Sequence, residues 1–292
     1  MSAALVEKAP AKINLNLRVL GRRADGYHEL ESLVAFADLA DRLTLQPGEN
    51  SALDITGSFA AACGPSFGNL VLKAIAALRQ RIDGLTAGRF LLEKNIPVAA
   101  GLGGGSADAA AALRLLARTN DLGDDDRRLN KAALAVGADV PVCLASRARI
   151  MRGIGEILSP PLDMPPLPAV LVNPGVPLAT RDVFAKYSGP QGSKTNIADL
   201  PRKPDAMIEF LGRYGNDLAD AAIACVPQIA EVLERLRALP GVRLARMSGS
   251  GATCFALFTS AGEAAAAARL VQAARGDWWV CPTTLGSAKG RP

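Results

Sequence analysis

The segment Pro97-Val-Ala-Ala-Gly-Leu-Gly-Gly-Gly-Ser-Ala107 constrains this chain more than any other stretch. It follows a strand-like run, Phe90 to Asn95, and opens an alanine- and leucine-rich helix over Asp108 to Arg118. A glycine loop at a helix N-terminus presents unpaired N–H groups and a partial positive charge, which favours phosphate. Glycine lets backbone approach the anion where a side chain would stand in the way. Alone, the same residues also fit a glycine-rich turn. The Walker pattern requires Gly-Lys-Ser/Thr after the loop, whereas here Gly105-Ser106-Ala107 follow, which argues against a P-loop NTPase. The spacing of Gly101, Gly103, Gly104 and Gly105 also fails the Gly-x-Gly-x-x-Gly fingerprint of dinucleotide sites.

The 292 residues suit one large or two moderate domains, and 49% apolar with 21% charged residues describes a soluble globular chain. No apolar run approaches the roughly 20 residues of a membrane span, so no membrane partner is expected. The N-terminal residues lack the apolar core of a signal peptide, and the five scattered cysteines include no Cys-x-x-Cys pair. Reduced thiols and a cytoplasmic location are expected. The single histidine, His28, excludes a histidine-rich metal centre, and no residue is assigned as a metal ligand. The net charge of +5 would suit nucleic acid or an anionic small substrate. Dispersed basic residues and 4% aromatics favour the small substrate over a nucleic acid, with a solvated basic surface as the plain alternative.

Alternation from Ala11 to Val19 predicts a strand with Lys12, Asn14 and Asn16 on one polar face. Asp25-Gly26 predicts a turn, followed by strands over Glu29–Leu39 and Asp41–Leu45. Asn69 is placed to cap a helix to about Arg81, and a helix over Asp126–Val136 should end at Gly137. Five prolines in Ser159–Pro168 predict an irregular link between two lobes, residues 1–158 and 159–292. A buried strand resumes at Ala169. Helices are predicted over Asp205–Arg213, Asn216–Ala224, Pro227–Leu239 and Gly262–Ala274, and two strands should flank Gly249-Ser250-Gly251. The mixed order of strands and helices indicates an α+β fold.

Five phrases stand in sequence order: Ala11-Lys-Ile-Asn-Leu15, Asp25-Gly-Tyr-His-Glu29, Gly101-Leu-Gly-Gly-Gly-Ser106, Gly137-Ala-Asp-Val-Pro141 and Met247-Ser-Gly-Ser-Gly-Ala252. Together, over most of the chain, they resemble the motifs of the GHMP kinases, which phosphorylate small-molecule hydroxyls. The resemblance implies a two-lobed fold with the active site in the cleft between lobes, and ATP with Mg²⁺ as phosphate donor. It implies that Asp139 accepts the hydroxyl proton and that Lys12 holds the hydroxyl and its developing charge. On the residues alone, Asp139 reads as a helix or turn cap, and only the resemblance reverses that reading. The ATP loop would comprise Pro97, Val98, Ala99, Ala100, Gly101, Leu102, Gly103, Gly104, Gly105, Ser106 and Ala107, with Ala107 standing where the family commonly has a second serine. Asn69 and Lys94 would lie near the adenine, although Lys94 also reads as a solvated charge.

The resemblance further implies a cytidine diphosphate-linked alcohol as small-molecule substrate. Tyr27 and Phe184 would sandwich the pyrimidine, and His28 would read its edge. Thr180 belongs to the same Thr-x-x-x-Phe phrase. Asn14 would orient substrate or a neighbouring side chain, a structural hydrogen bond being the alternative. Gly249, Ser250 and Gly251 would close over the diphosphate or the polyol, and otherwise form a tight hairpin. Val142-Cys143 replace two family phenylalanines at what look like packing positions.

Overall fold

The computed structural model describes residues 3–64, 68–189 and 200–287. The predicted Ala11–Val19 strand is two strands, β1 (Leu5–Asn14) and β2 (Arg18–Arg22). Its polar face is not solvated, because Lys12, Asn14 and Asn16 are all buried. The two strands predicted over 29–45 are one, β3 (His28–Gly48). No turn residue interrupts it at Ala40-Asp41, and the Asp41 side chain is buried and bonded. Next come β4 (Ala52–Thr56), α1 (Leu70–Arg79), β5 (Ala87–Glu93), α2 (Gly104–Thr119), α3 (Arg127–Val136) and α4 (Val140–Ala145). They are followed by β6 (Arg149–Gly153), β7 (Ile157–Leu158), β8 (Leu167–Asn173), α5 (Thr180–Lys186), α6 (Pro204–Gly212) and α7 (Ala219–Cys225). Last are α8 (Gln228–Arg237), β9 (Leu244–Met247), β10 (Cys254–Leu257), α9 (Ala261–Ala274) and β11 (Trp279–Gly286).

Local chemistry explains the helix ends. Asn69 Oδ1 accepts from Val71 N at the start of α1, and Asp126 Oδ1 accepts from Arg128 N at the start of α3. Gly137 follows α3, and Ser260 with Glu263 forms a capping box on α9. Pro227 stands one residue ahead of α8 as its N-cap. Among the described residues, no helix is long and apolar enough to cross a membrane.

The chain divides into two compact units built of interleaved segments, 1–12 with 39–98 and 103–146, and 13–38 with 99–102 and 147–292. The predicted boundary after residue 158 lies within the second unit. So does the proline-rich stretch, which is irregular between β7 and β8 as expected but does not join the units. The chain passes between the units five times, once within β1 and once within the long strand β3, so neither unit is one contiguous piece.

In the first unit, β4 runs parallel to β5, and β5 pairs antiparallel with the C-terminal half of β3, Leu45 opposite Phe90. Helix α2 is buried over most of its length, with Ala109 to Leu113, Leu115 and Leu116 fully enclosed and the charged Asp108 and Arg114 buried among them. In the second unit, strands follow the order β3-β11-β8-β10-β9, with β2 and β6 paired to the N-terminal half of β3. Val170, Val172, Leu218, Ile229, Val232, Leu236 and Phe258 fill its core. Each such side chain contributes about 1.5–3 kcal/mol by leaving water.

Candidate active site

Helix α2 begins at Gly104, inside the glycine loop and not at Asp108. Gly103 is its N-cap in the left-handed region, φ 62°, a conformation that favours glycine. The first helical bond runs from Ala107 N to Gly103 O at 2.9 Å. The N–H groups of Gly104, Gly105 and Ser106 therefore precede the helical ladder, at the positive end of a 16-residue helix. Gly101 has φ 76°, and a Cβ there would lie 2.6 Å from Gly251 O and 2.8 Å from Ser248 O. Thr253 N donates to Ala100 O at 3.1 Å. The 97–107 loop and the Gly249-Ser250-Gly251 loop are thus in backbone contact, which nothing in either motif announced.

Lys12 is nearly enclosed, its side chain 6% exposed, and its Nζ lies 2.9 Å from Asp139 Oδ2. The Asp139 side chain is 37% exposed. Asp139 occupies the N-cap position of α4 yet makes no side-chain cap bond, so the capping reading does not describe it. Its carboxylate pairs with Lys12 instead. A Cβ on Gly103 would stand 3.1 Å from Lys12 Cε, so the lysine stem lies against the glycine loop. The arrangement joins a buried ammonium, a partly open carboxylate and a helix N-terminus. Val142 and Cys143 are buried packing positions, and burial, with Asp139 nearby, pushes the Cys143 thiol up to about 12.

Lys94 is not a solvated charge. Its side chain is 3% exposed, its Nζ donates to Asp41 Oδ2 and lies 2.8 Å from Asp108 Oδ2, and both carboxylates are as deeply buried. Burial pulls the Lys94 ammonium down, but Asp108 and Asp41 more than reverse this. Burial raises the Asp108 carboxyl to about 8, because the one ammonium beside it is shared with Asp41. Asn69 caps α1 through Oδ1.

In the second unit, the His28 ring stacks on Phe184 at 5.1 Å and 22°, and Tyr187 meets His28 edge-on at 5.9 Å. Burial, then Arg22, lowers the His28 pKa and favours a neutral ring. Tyr27, 61% exposed, has its backbone N bonded to Asp25. Thr180 Oγ1 and Ser250 Oγ are 2.9 Å apart. Asn14 Nδ2 donates to Ser32 Oγ at 2.7 Å, and its backbone N donates to Ser248 Oγ, which donates to Gly101 O at 3.1 Å. Asn216 Nδ2 donates to the Met247 and Gly249 carbonyls and shapes the Gly249 loop. Tyr187 and Asn216 escaped the sequence reading, and Ser248 entered it only as part of the Met247–Ala252 phrase. Tyr187, three residues after Phe184 at a helix end, carried a usable signal, and Asn216 carried none. Among the described residues, no group of three or more His, Cys, Asp or Glu side chains could hold a metal ion.

The sequence matches the GHMP kinases N terminal domain over residues 69–147 and the GHMP kinases C terminal domain over 201–275. The chain belongs to the GHMP kinases and is a small-molecule kinase. Within them it belongs with the 4-diphosphocytidyl-2-C-methyl-D-erythritol kinases. The protein of that name from Rhodopseudomonas palustris (strain BisB18) is 56% identical over 293 residues, covering 97% of this chain and 95% of its own. A crystal structure of 4-(cytidine 5'-diphospho)-2C-methyl-D-erythritol kinase aligns with TM-score 0.76 and 38% identity, over 97% of this chain and 99% of that one. Homoserine kinase from Cytophaga hutchinsonii, 18% identical with TM-score 0.72 over 99% of this chain and 96% of its own, shares the fold.

Proposed function

We propose that this kinase transfers the γ-phosphoryl group of ATP to the 2-hydroxyl of 4-diphosphocytidyl-2-C-methyl-D-erythritol, a cytoplasmic step of non-mevalonate isoprenoid-precursor biosynthesis. The observation that carries the chemistry is the Lys12–Asp139 pair beside Gly103, with the Asp139 carboxylate withheld from helix capping. The names of the relatives support the acceptor.

Asp139 takes the proton of the 2-hydroxyl as its oxygen bonds to the γ-phosphorus. The bond from that phosphorus to the β–γ bridging oxygen breaks, and ADP leaves. Lys12 steadies the charge that gathers on the attacking oxygen. The N–H groups of Gly104, Gly105 and Ser106 hold the ATP phosphates, so catalysis rests on positioning and charge neutralisation. Asn69 uses Oδ1 as a cap and leaves its amide nitrogen for the adenine. Mg²⁺ suits a site of this kind carried on the nucleotide phosphates, with the Ser106 hydroxyl as the loop side chain nearest in role. It would neutralise phosphate charge. On the acceptor side, neutral His28 with Phe184 and Tyr27 receives the cytosine, and Thr180, Asn14 and the 249–251 loop receive the diphosphate and polyol.

The test is an ADP-release assay with Mg-ATP and 4-diphosphocytidyl-2-C-methyl-D-erythritol, homoserine or mevalonate as acceptor. Turnover with the cytidine compound alone is the expected result. Turnover with another acceptor would discard the cytidine assignment and leave the ATP loop standing.

A further inference from the structure

We infer that Asp41, Lys94 and Asp108 are positioning residues that clamp the two ends of the glycine loop, holding it in the shape that takes the nucleotide phosphates. The inference rests on the reading of that loop as the ATP site.

Three ionisable side chains, each at most 3% exposed, meet at one point in the first unit. Burying charge costs several kcal/mol per ion even when paired, and a packed apolar trio would stabilise the fold as well. The location supplies the reason. Asp41 comes from the middle of β3, Lys94 directly follows β5, and Asp108 lies in the second turn of α2. Asp41 Oδ1 accepts from Asn95 N at 2.5 Å and Ile96 N at 2.8 Å, which fixes the chain immediately before Pro97. Lys94 itself is held by backbone bonds, donating from N to Thr56 O at 2.8 Å and accepting at O from Phe59 N at 3.2 Å. Its ammonium then reaches Asp108, beyond the far end of the loop. A Cβ on Gly104 would lie 3.4 Å from Lys94 Nζ, so the charge sits directly under the first residue of α2. Asp108 Oδ1 is buried with no partner. That unsatisfied oxygen is a cost to stability, so packing alone does not account for an acid at this position.

The experiment compares wild type with Asp108→Asn and Asp41→Asn, both near-isosteric. Affinity for mant-ADP with Mg²⁺ is read by fluorescence, and KM and kcat for ATP and acceptor by ADP release, with thermal melting as the check on folding. Each variant should raise the mant-ADP Kd and the ATP KM about tenfold, with kcat and acceptor KM changing far less. A purely structural role would lower the melting temperature and leave that split absent. Unchanged nucleotide affinity in folded variants overturns the inference alone. No mant-ADP binding by wild type overturns the ATP reading, and this inference with it. If neither variant folds, hydrogen exchange of wild type decides. Mg-ADP must protect the amides of Asn95 and Ile96 together with those of 104–106, and protection of the latter alone overturns the clamp.

Discussion

Replacing Gly101 by alanine tests the backbone architecture of the site. The residue has φ 76°, where a side chain costs about 1–2 kcal/mol. The added Cβ would fall 2.6 Å from Gly251 O and 2.8 Å from Ser248 O. Both obstacles are backbone, so neither can swing aside as a side-chain tip would, and overpacking of this kind costs about 1–3 kcal/mol. The sum, about 2–5 kcal/mol, corresponds to a loss of about 3–8 °C in melting temperature for a chain of this length. Gly105→Ala in the same motif is the control. Gly105 has no left-handed φ, and its Cβ would meet only Leu70, at 3.4 Å. Its effect on stability should stay within about 0.5 kcal/mol, while its methyl group, on the exposed side of the loop, raises the KM for ATP. Differential scanning fluorimetry and ADP-release kinetics on both variants separate the effects. A Gly101→Ala protein melting with wild type would refute the close approach of the two motifs. An equal loss in Gly105→Ala would refute the assignment of Gly105 to an open helix terminus.

Asp139→Asn should lower kcat by about 10²–10⁴-fold, the usual span for a proton acceptor, with mant-ADP affinity almost unchanged; a rate near wild type removes Asp139 from the chemistry. Phe184→Ala should raise the acceptor KM about tenfold to a hundredfold, the worth of one stacked base, and leave the KM for ATP alone. Asp108 gives a pH dependence whose sign follows from its raised pKa, 3.8 to about 8. The folded chain keeps this proton over a range where the unfolded chain has released it. Asp108 therefore makes stability fall as pH rises from about 4 to about 8, by up to about 1.4 kcal/mol per pH unit, and level above. Melting of wild type and Asp108→Asn across this range checks it: the variant should lack that part of the slope.

Much of the site was legible before any fold was known. Asn69 and Gly137 end their helices as their types predict, and the strands flanking Gly249-Ser250-Gly251 form where alternation and turn residues placed them. Lys12 and Asp139 could be named as partners only through the family resemblance, since 127 positions of chain, 139 minus 12, separate them. Lys94 was given solvent because polar side chains usually take it, and it is instead buried between partners distant in sequence. Asn14 makes the structural hydrogen bond that its residue type allowed, but its partner Ser32 and the partner of Asn16, Leu33 N, could not be read from the strand itself.

Local chemistry therefore determined the caps, the turns, the strand and helix periods, and a glycine-rich helix N-terminus suited to phosphate. These depend on residues a few positions apart, and the sequence states them directly. Tertiary structure alone decided that β3 is one strand shared by two interleaved units, that the Ser248–Gly251 loop packs on Gly101, and that Lys94 is buried between two aspartates. Those outcomes depend on which distant groups supply the bonds that water would otherwise make. A buried polar side chain looks the same in sequence as a solvated one until its partners arrive.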